Sequence, residues 1–167
     1  MRPVLLLAAA LFPISSFAFA QTVDTSAVMC EQFAVNGASY TVEATTELSE
    51  DFVPAHHAPR NIPIEVALPD NVVSYIHFPI VEDGTYLVYA TEPDRLIGLE
   101  EKNGTTIASS TIDAAQDCPD VLAGGLTADI NLGTLMGPVP IAIEFSAGEA
   151  SEIRLIVSRS PINPHSD

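Results

Sequence analysis

Positive charge is nearly missing from this chain: six Lys and Arg stand against 22 Asp and Glu in 167 residues. Nucleic acids and anionic membrane surfaces are held by clustered Lys and Arg, so both partner classes are excluded. Tryptophan is absent and cysteine is reduced to two residues, Cys30 and Cys118. No C-x-x-C pair exists, which argues against redox catalysis. No apolar run is long enough to cross a bilayer, because the longest, "VLLLAAALF" (4–12), is stopped by Pro13. No H-E-x-x-H spacing, EF-hand loop or G-x-S-x-G elbow occurs, so the common metal, calcium and nucleophile signatures are missing too.

What is present begins with an export signal. Met1 and Arg2 form a short positive region, residues 4–12 an apolar one, and Ala18-Phe19-Ala20 a small-x-small cleavage site before Gln21. Residues 1–20 are therefore expected to be removed, leaving 147 residues exported to the periplasm or beyond, with no lipid anchor because no Cys follows the cleavage site. The mature chain carries five basic residues against 22 acidic ones, a net charge of −17. Such a charge keeps an exported protein soluble and monomeric, and it also attracts cations or basic partners. In an oxidising compartment the two cysteines predict a structural Cys30–Cys118 disulfide.

The apolar pattern has period two. "ASYTVEATTE" (38–47) alternates, "NIPIEVALP" (61–69) puts Ile62, Ile64, Val66 and Leu68 on one face, and "DNVVSYIHFPI" (70–80) does the same with Val72, Ser74, Ile76, Phe78 and Ile80. "TYLVYATE", "DRLIGLEE", "TTIASSTI", "LTADINLG", "VPIAIEFSAG" and "EIRLIVSRS" follow, separated by turn signals such as "EDG" and "KNG". About eight or nine short strands at this spacing predict an all-β, single antiparallel β-sandwich of jelly-roll-like type. Helix is scarce, with at most a single turn within "DAAQDCPDVLAGG" (113–125). The expected organisation is a signal at 1–20, an N-terminal segment 21–36 tied by the disulfide and otherwise loosely ordered, a sandwich at 37–160, and a tail at 161–167.

From Ile62 to Ser158 the order of elements resembles the bacterial pre-peptidase C-terminal β-sandwich family. The matching features are "IPIEVALPDNVVSYIHFPI", "EDGTYLVYA", "RLIGLEEKNGTTIASS" and "PVPIAIEFSAGEASEIRLIVS", with Tyr75, Phe78, Gly84, Thr85, Tyr86, Asn103, Gly104 and Ile107 in corresponding places. A second Gly-Thr-Tyr element is replaced by "GPVPIAIEF", and the long-range cysteine pair is not a feature of the family. The resemblance implies a non-catalytic accessory or binding module.

Three of the four histidines, His56, His57 and His77, fall between residues 51 and 80. Neighbouring side chains on extended backbone point opposite ways, so one of His56 and His57 would join His77, with Asp51 or Glu50 completing a Zn²⁺ or Cu²⁺ site. The competing reading is a partly exposed strand histidine and a surface "HHAP" loop. Asp113, Asp117 and Asp120 are candidates for Ca²⁺ ligation, or simply three members of a very acidic surface. Glu50-Asp51, Glu82-Asp83 and Glu100-Glu101 are adjacent pairs that face apart on a strand or turn, unlike the opposed carboxyls of glycosidases. Tyr75, Tyr86 and Tyr89 serve either the core or an aromatic binding platform. Val73, Tyr75 and Val81 would mark a partner surface if exposed. The leading expectation is a binding module without catalytic activity or cofactor, directed at a protein, glycan or surface partner. A metal-handling protein is the alternative.

Overall fold

The structure, a computed structural model, describes residues 25–36, 41–48, 61–101, 103–131 and 139–160. Among the described residues, ten strands form two sheets. The larger has the order β1 (Thr41–Glu43), β2 (Ile64–Leu68), β10 (Ser151–Ser160), β4 (Gly84–Ala90), β8 (Gly124–Ile130) and β7 (Ser110–Ile112). The smaller has the order β3 (Ser74–Ile80), β9 (Val139–Phe145), β5 (Leu96–Glu101) and β6 (Thr106–Ile107). All pairings are antiparallel except β1 on β2. The predicted all-β sandwich with its Cys30–Cys118 disulfide is what the structure shows.

Alternation produces this arrangement. Ile64, Val66 and Leu68 of β2, Ile76, Phe78 and Ile80 of β3, and Val88 and Ala90 of β4 meet Ile141, Ile143 and Phe145 of β9 and Ile153, Leu155 and Val157 of β10 in one core. Ser74 is buried among them, as its parity requires. Ile62 and Val72 precede their strands and leave the predicted face: Ile62 is exposed and Val72 half-buried.

Two prolines lie inside strands and face each other, Pro79 opposite Pro140. Tyr75 N–H and C=O bond Thr45 on the outer side of β3, so by alternation the odd residues of β3 direct their backbone groups away from β9. The Pro79–Pro140 pair is therefore a non-hydrogen-bonded one, and neither ring removes a β3–β9 bond.

Two segments differ from the sequence reading. "TTIASSTI" is split between the sheets: Thr106–Ile107 pairs with β5 and Ser110–Ile112 with β8. Its small, exposed centre at Ala108 and Ser109 holds it to neither face. The second difference is α1 (Thr25–Asn36), a helix where loose order was expected. Its apolar stripe is narrow, Met29 and Phe33 one turn apart, and its first turn has no acid and its last no base. An isolated twelve-residue helix of this kind is marginal. Packing supplies what the local sequence lacks: Met29 and Phe33 join Ile156, Leu122 and Ala115, with Leu87 and Tyr89 against them, on the outer face of the larger sheet. Arg154 lies over the Phe33 ring. The disulfide clamps the helix to the turn at Cys118, whose carbonyl accepts from Val121 and Leu122 N–H. The molecule is thus layered as helix, six-stranded sheet and four-stranded sheet.

Removing the disulfide as Cys30→Ser/Cys118→Ser is expected to cost roughly 4 kcal/mol, the chain-entropy figure for a closed loop of this length. Denaturant unfolding measures it, and an unchanged midpoint would refute it. Gly125 is held by backbone approach, since a Cβ there would lie 1.8 Å from the Val88 carbonyl oxygen. A Cβ on Gly98 would meet nothing within 4 Å. Gly125→Ala should therefore destabilise by more than about 3 kcal/mol while Gly98→Ala stays within about 1 kcal/mol of the parent. Equal thermal shifts for the two variants would contradict the close approach.

Candidate functional site

The even residues of β3 fill the core, so the odd ones, Tyr75, His77 and Pro79, stand on the outer face of the smaller sheet. Val81, just beyond the strand, continues the series and is 55% exposed. Register places their neighbours. Tyr75 faces Glu144 of β9, which in turn faces Gly98 of β5, and His77 faces Ala142, which faces Glu100. As non-hydrogen-bonded pairs, Tyr75–Glu144 and His77–Ala142 bring Cα atoms to about 4.5 Å. Ala142 is only 1% exposed and forms the floor between His77 and Glu100.

A bulge supplies the apolar rim. Leu96 pairs with Phe145 and Gly98 with Glu144, so Ile97 is an extra residue against one step of β9. Ile97 is 50% exposed. The face thus combines two carboxylates, a tyrosine and a histidine with exposed Ile97 and Val81 at its margins.

Its electrostatics are unfavourable to negative charge. Partial burial, then repulsion from Glu100, pushes the Glu144 carboxyl above the usual carboxylate range. Burial raises the Tyr75 phenol, and the charges of Glu144 and Glu100 raise it further. Burial lowers the imidazole of His77, whose Nε2 is buried with no hydrogen-bond partner. None of the described basic residues relieves this. Arg95 donates to the carbonyls of Ser146 and Glu149 and to Ser151 Oγ, Arg154 covers Phe33, and Arg159 pairs with Glu82.

The structure treats the sequence candidates unequally. His56, His57, Glu50 and Asp51 lie outside the described residues, so His77 is the one proposed Zn²⁺ or Cu²⁺ ligand that can be placed. Asp113, Asp117 and Asp120 are all exposed. Among the described residues, no three His, Cys, Asp or Glu side chains are grouped to hold a metal. Of the suggested partner surface, Val81 is exposed, whereas Val73 and Tyr75 are half-buried. Tyr86 belongs to the sandwich core, its hydroxyl donating to the Glu82 carbonyl, and Tyr89 packs in the cluster beneath α1. Glu144, Ile97 and the pairing role of Glu100 escaped sequence reading, because only cross-strand register brings them beside Tyr75 and His77. No helix among the described residues is long and apolar enough to cross a membrane. No known family model matches this chain, and no curated protein matches it.

The His77 shift makes stability depend on pH with a definite sign. Its folded pKa lies below the ordinary value of about 6.5, so the unfolded chain takes up a proton first. The His77 contribution is complete above that value and is lost as pH falls through the folded pKa. Glu144 acts in the opposite sense, because its raised pKa means that protonation relieves the folded state. Between about pH 7 and pH 5.5 the parent should lose stability more steeply than His77→Gln. Parallel denaturation midpoints across that range would remove the histidine from the account.

Proposed function

We propose that this protein is an exported, non-catalytic β-sandwich binding module whose smaller sheet recognises a basic segment of a partner protein. One observation carries the reading. The Glu144 carboxylate is disfavoured by partial burial and then by the neighbouring charge of Glu100, while the described Arg95, Arg154 and Arg159 are committed elsewhere. A Lys or Arg from outside would lower that repulsion, and a charge-complementary surface gives specificity and fast association. The export signal and the disulfide support an oxidising, extracytoplasmic setting. The pre-peptidase resemblance of residues 62–158, with its implied accessory role, points the same way. A transition-metal alternative has one observation in its favour, the unpartnered Nε2 of His77. It is dropped if His77→Ala binds Zn²⁺ and Cu²⁺ as tightly as the parent.

Substitution at Glu144 separates binding from folding. Glu144→Gln removes the repulsion with Glu100, so the free protein should be slightly more stable at pH 7. The same change should weaken binding of an oligolysine peptide several-fold and flatten its dependence on salt. Calorimetric titration at two ionic strengths measures both effects. Unchanged affinity together with unchanged salt dependence would refute the assignment of this face.

A further inference from the structure

We propose that the partner binds by adding a strand to the outer edge of β3, pairing as an extended segment with lysine or arginine at alternate positions. This mode rests on the cationic-partner reading above and specifies how it is met.

The edges of the two sheets are unlike one another. β1 and β7 close the larger sheet with three residues each, and β6 closes one side of the smaller with two. Short edges are the usual protection against unwanted pairing. β3 closes the other side with seven residues, Ser74–Ile80. Among the described residues its outer edge is paired at one place only, the bridge from Thr45 to Tyr75, where each backbone N–H donates to the other's carbonyl. The chain on the other side of Thr45 turns away, because Thr41–Glu43 pairs with β2 in the larger sheet.

Alternation then defines what the edge offers. His77 directs both N–H and C=O outward, Pro79 only its C=O, and Val81 continues the line. Pro79 limits pairing to a short stretch, which guards against extended self-association yet leaves His77 as a complete rung. Main-chain pairing of this kind supplies affinity while alternate side chains supply choice of partner.

Charge selects the occupant. Glu43 is exposed at the end of β1 beside the bridge, Glu144 stands across β3 from the edge, and Glu100 lies one strand further on. Side chains on the outer face of an added strand run beside Tyr75 and His77 toward these acids. Val81 offers apolar surface at the far end. A second copy of the mature chain would bring a net charge of −17 against the same acids, which disfavours it.

The test uses the disulfide-intact protein and an eight-residue peptide of alternating Lys and Val. Two further versions carry N-methyl groups on alternate amides, one in each phase. His77→Pro removes the one complete donor at the edge without touching a β3–β9 bond, and His77→Val keeps that donor while removing the imidazole. The expected result is binding of the plain peptide, loss of at least tenfold for one methylated phase only, and a comparable loss in His77→Pro but not in His77→Val. Equal binding of all three peptides would overturn strand addition while leaving the cationic-partner reading standing. Absence of binding by every peptide at low salt would overturn both. A sedimentation result in which the parent dimerises and His77→Pro is monomeric would assign the edge to a second copy and overturn the proposal. The methylated peptides keep the test valid even if His77→Pro fails to fold.

Discussion

The register between β3 and β9 sets the outer face of the smaller sheet. Ile76 opposite Ile143 and Phe78 opposite Ile141 are all buried in the core, and that pairing turns Tyr75 and His77 outward toward Glu144 and Ala142. A slip of one residue would reverse every side chain of β3. It would also set the Pro79 ring where a ladder donor toward β9 is needed. Hydrophobic burial and proline chemistry thus enforce the same alignment, and the polar outer face is its by-product.

The two sheets finish their outer faces differently. The larger is covered by α1, whose Met29 and Phe33 need Ile156, Leu122 and the Cys30–Cys118 bond because the helix has little stability of its own. The described arginines also serve this side or the turns: Arg154 covers Phe33, and Arg95 fastens the connection between β9 and β10 through Ser146, Glu149 and Ser151. The smaller sheet receives acids, a tyrosine and a histidine, and no described cation. The three described arginines serve where they hold structure, and none of them relieves the repulsion that Glu100 exerts on Glu144.

Much of the fold is legible in the sequence because period-two alternation is a local signal. The face of β3 from Ser74 to Ile80 and the core side of β2 from Ile64 to Leu68 follow from it, and the cystine link follows from the even cysteine count together with the expectation of export. The helix is hidden because its buried residues, Met29 and Phe33, span a single turn of helical period, and its partners, Leu87, Tyr89 and Ile156, lie far along the chain. The split of residues 105–112 is hidden because Ala108 and Ser109 carry no apolar pattern to follow. For the site, the sequence points to Tyr75, His77 and Val81 on one strand. Glu144 and Glu100 belong with them only through pairing between distant strands, and Ile97 only through a bulge, neither of which has a local signature.

Amide hydrogen exchange across β3 tests the central claim most directly, since the locked register and an outer edge that the described residues leave open beyond Tyr75 both appear in it. The even residues Ile76, Phe78 and Ile80 donate toward β9 and should exchange slowly, while the amide of His77 faces the open edge and should exchange orders of magnitude faster. Protection of His77 equal to that of Ile76 and Phe78 would mean that the edge is already occupied, and would contradict the account.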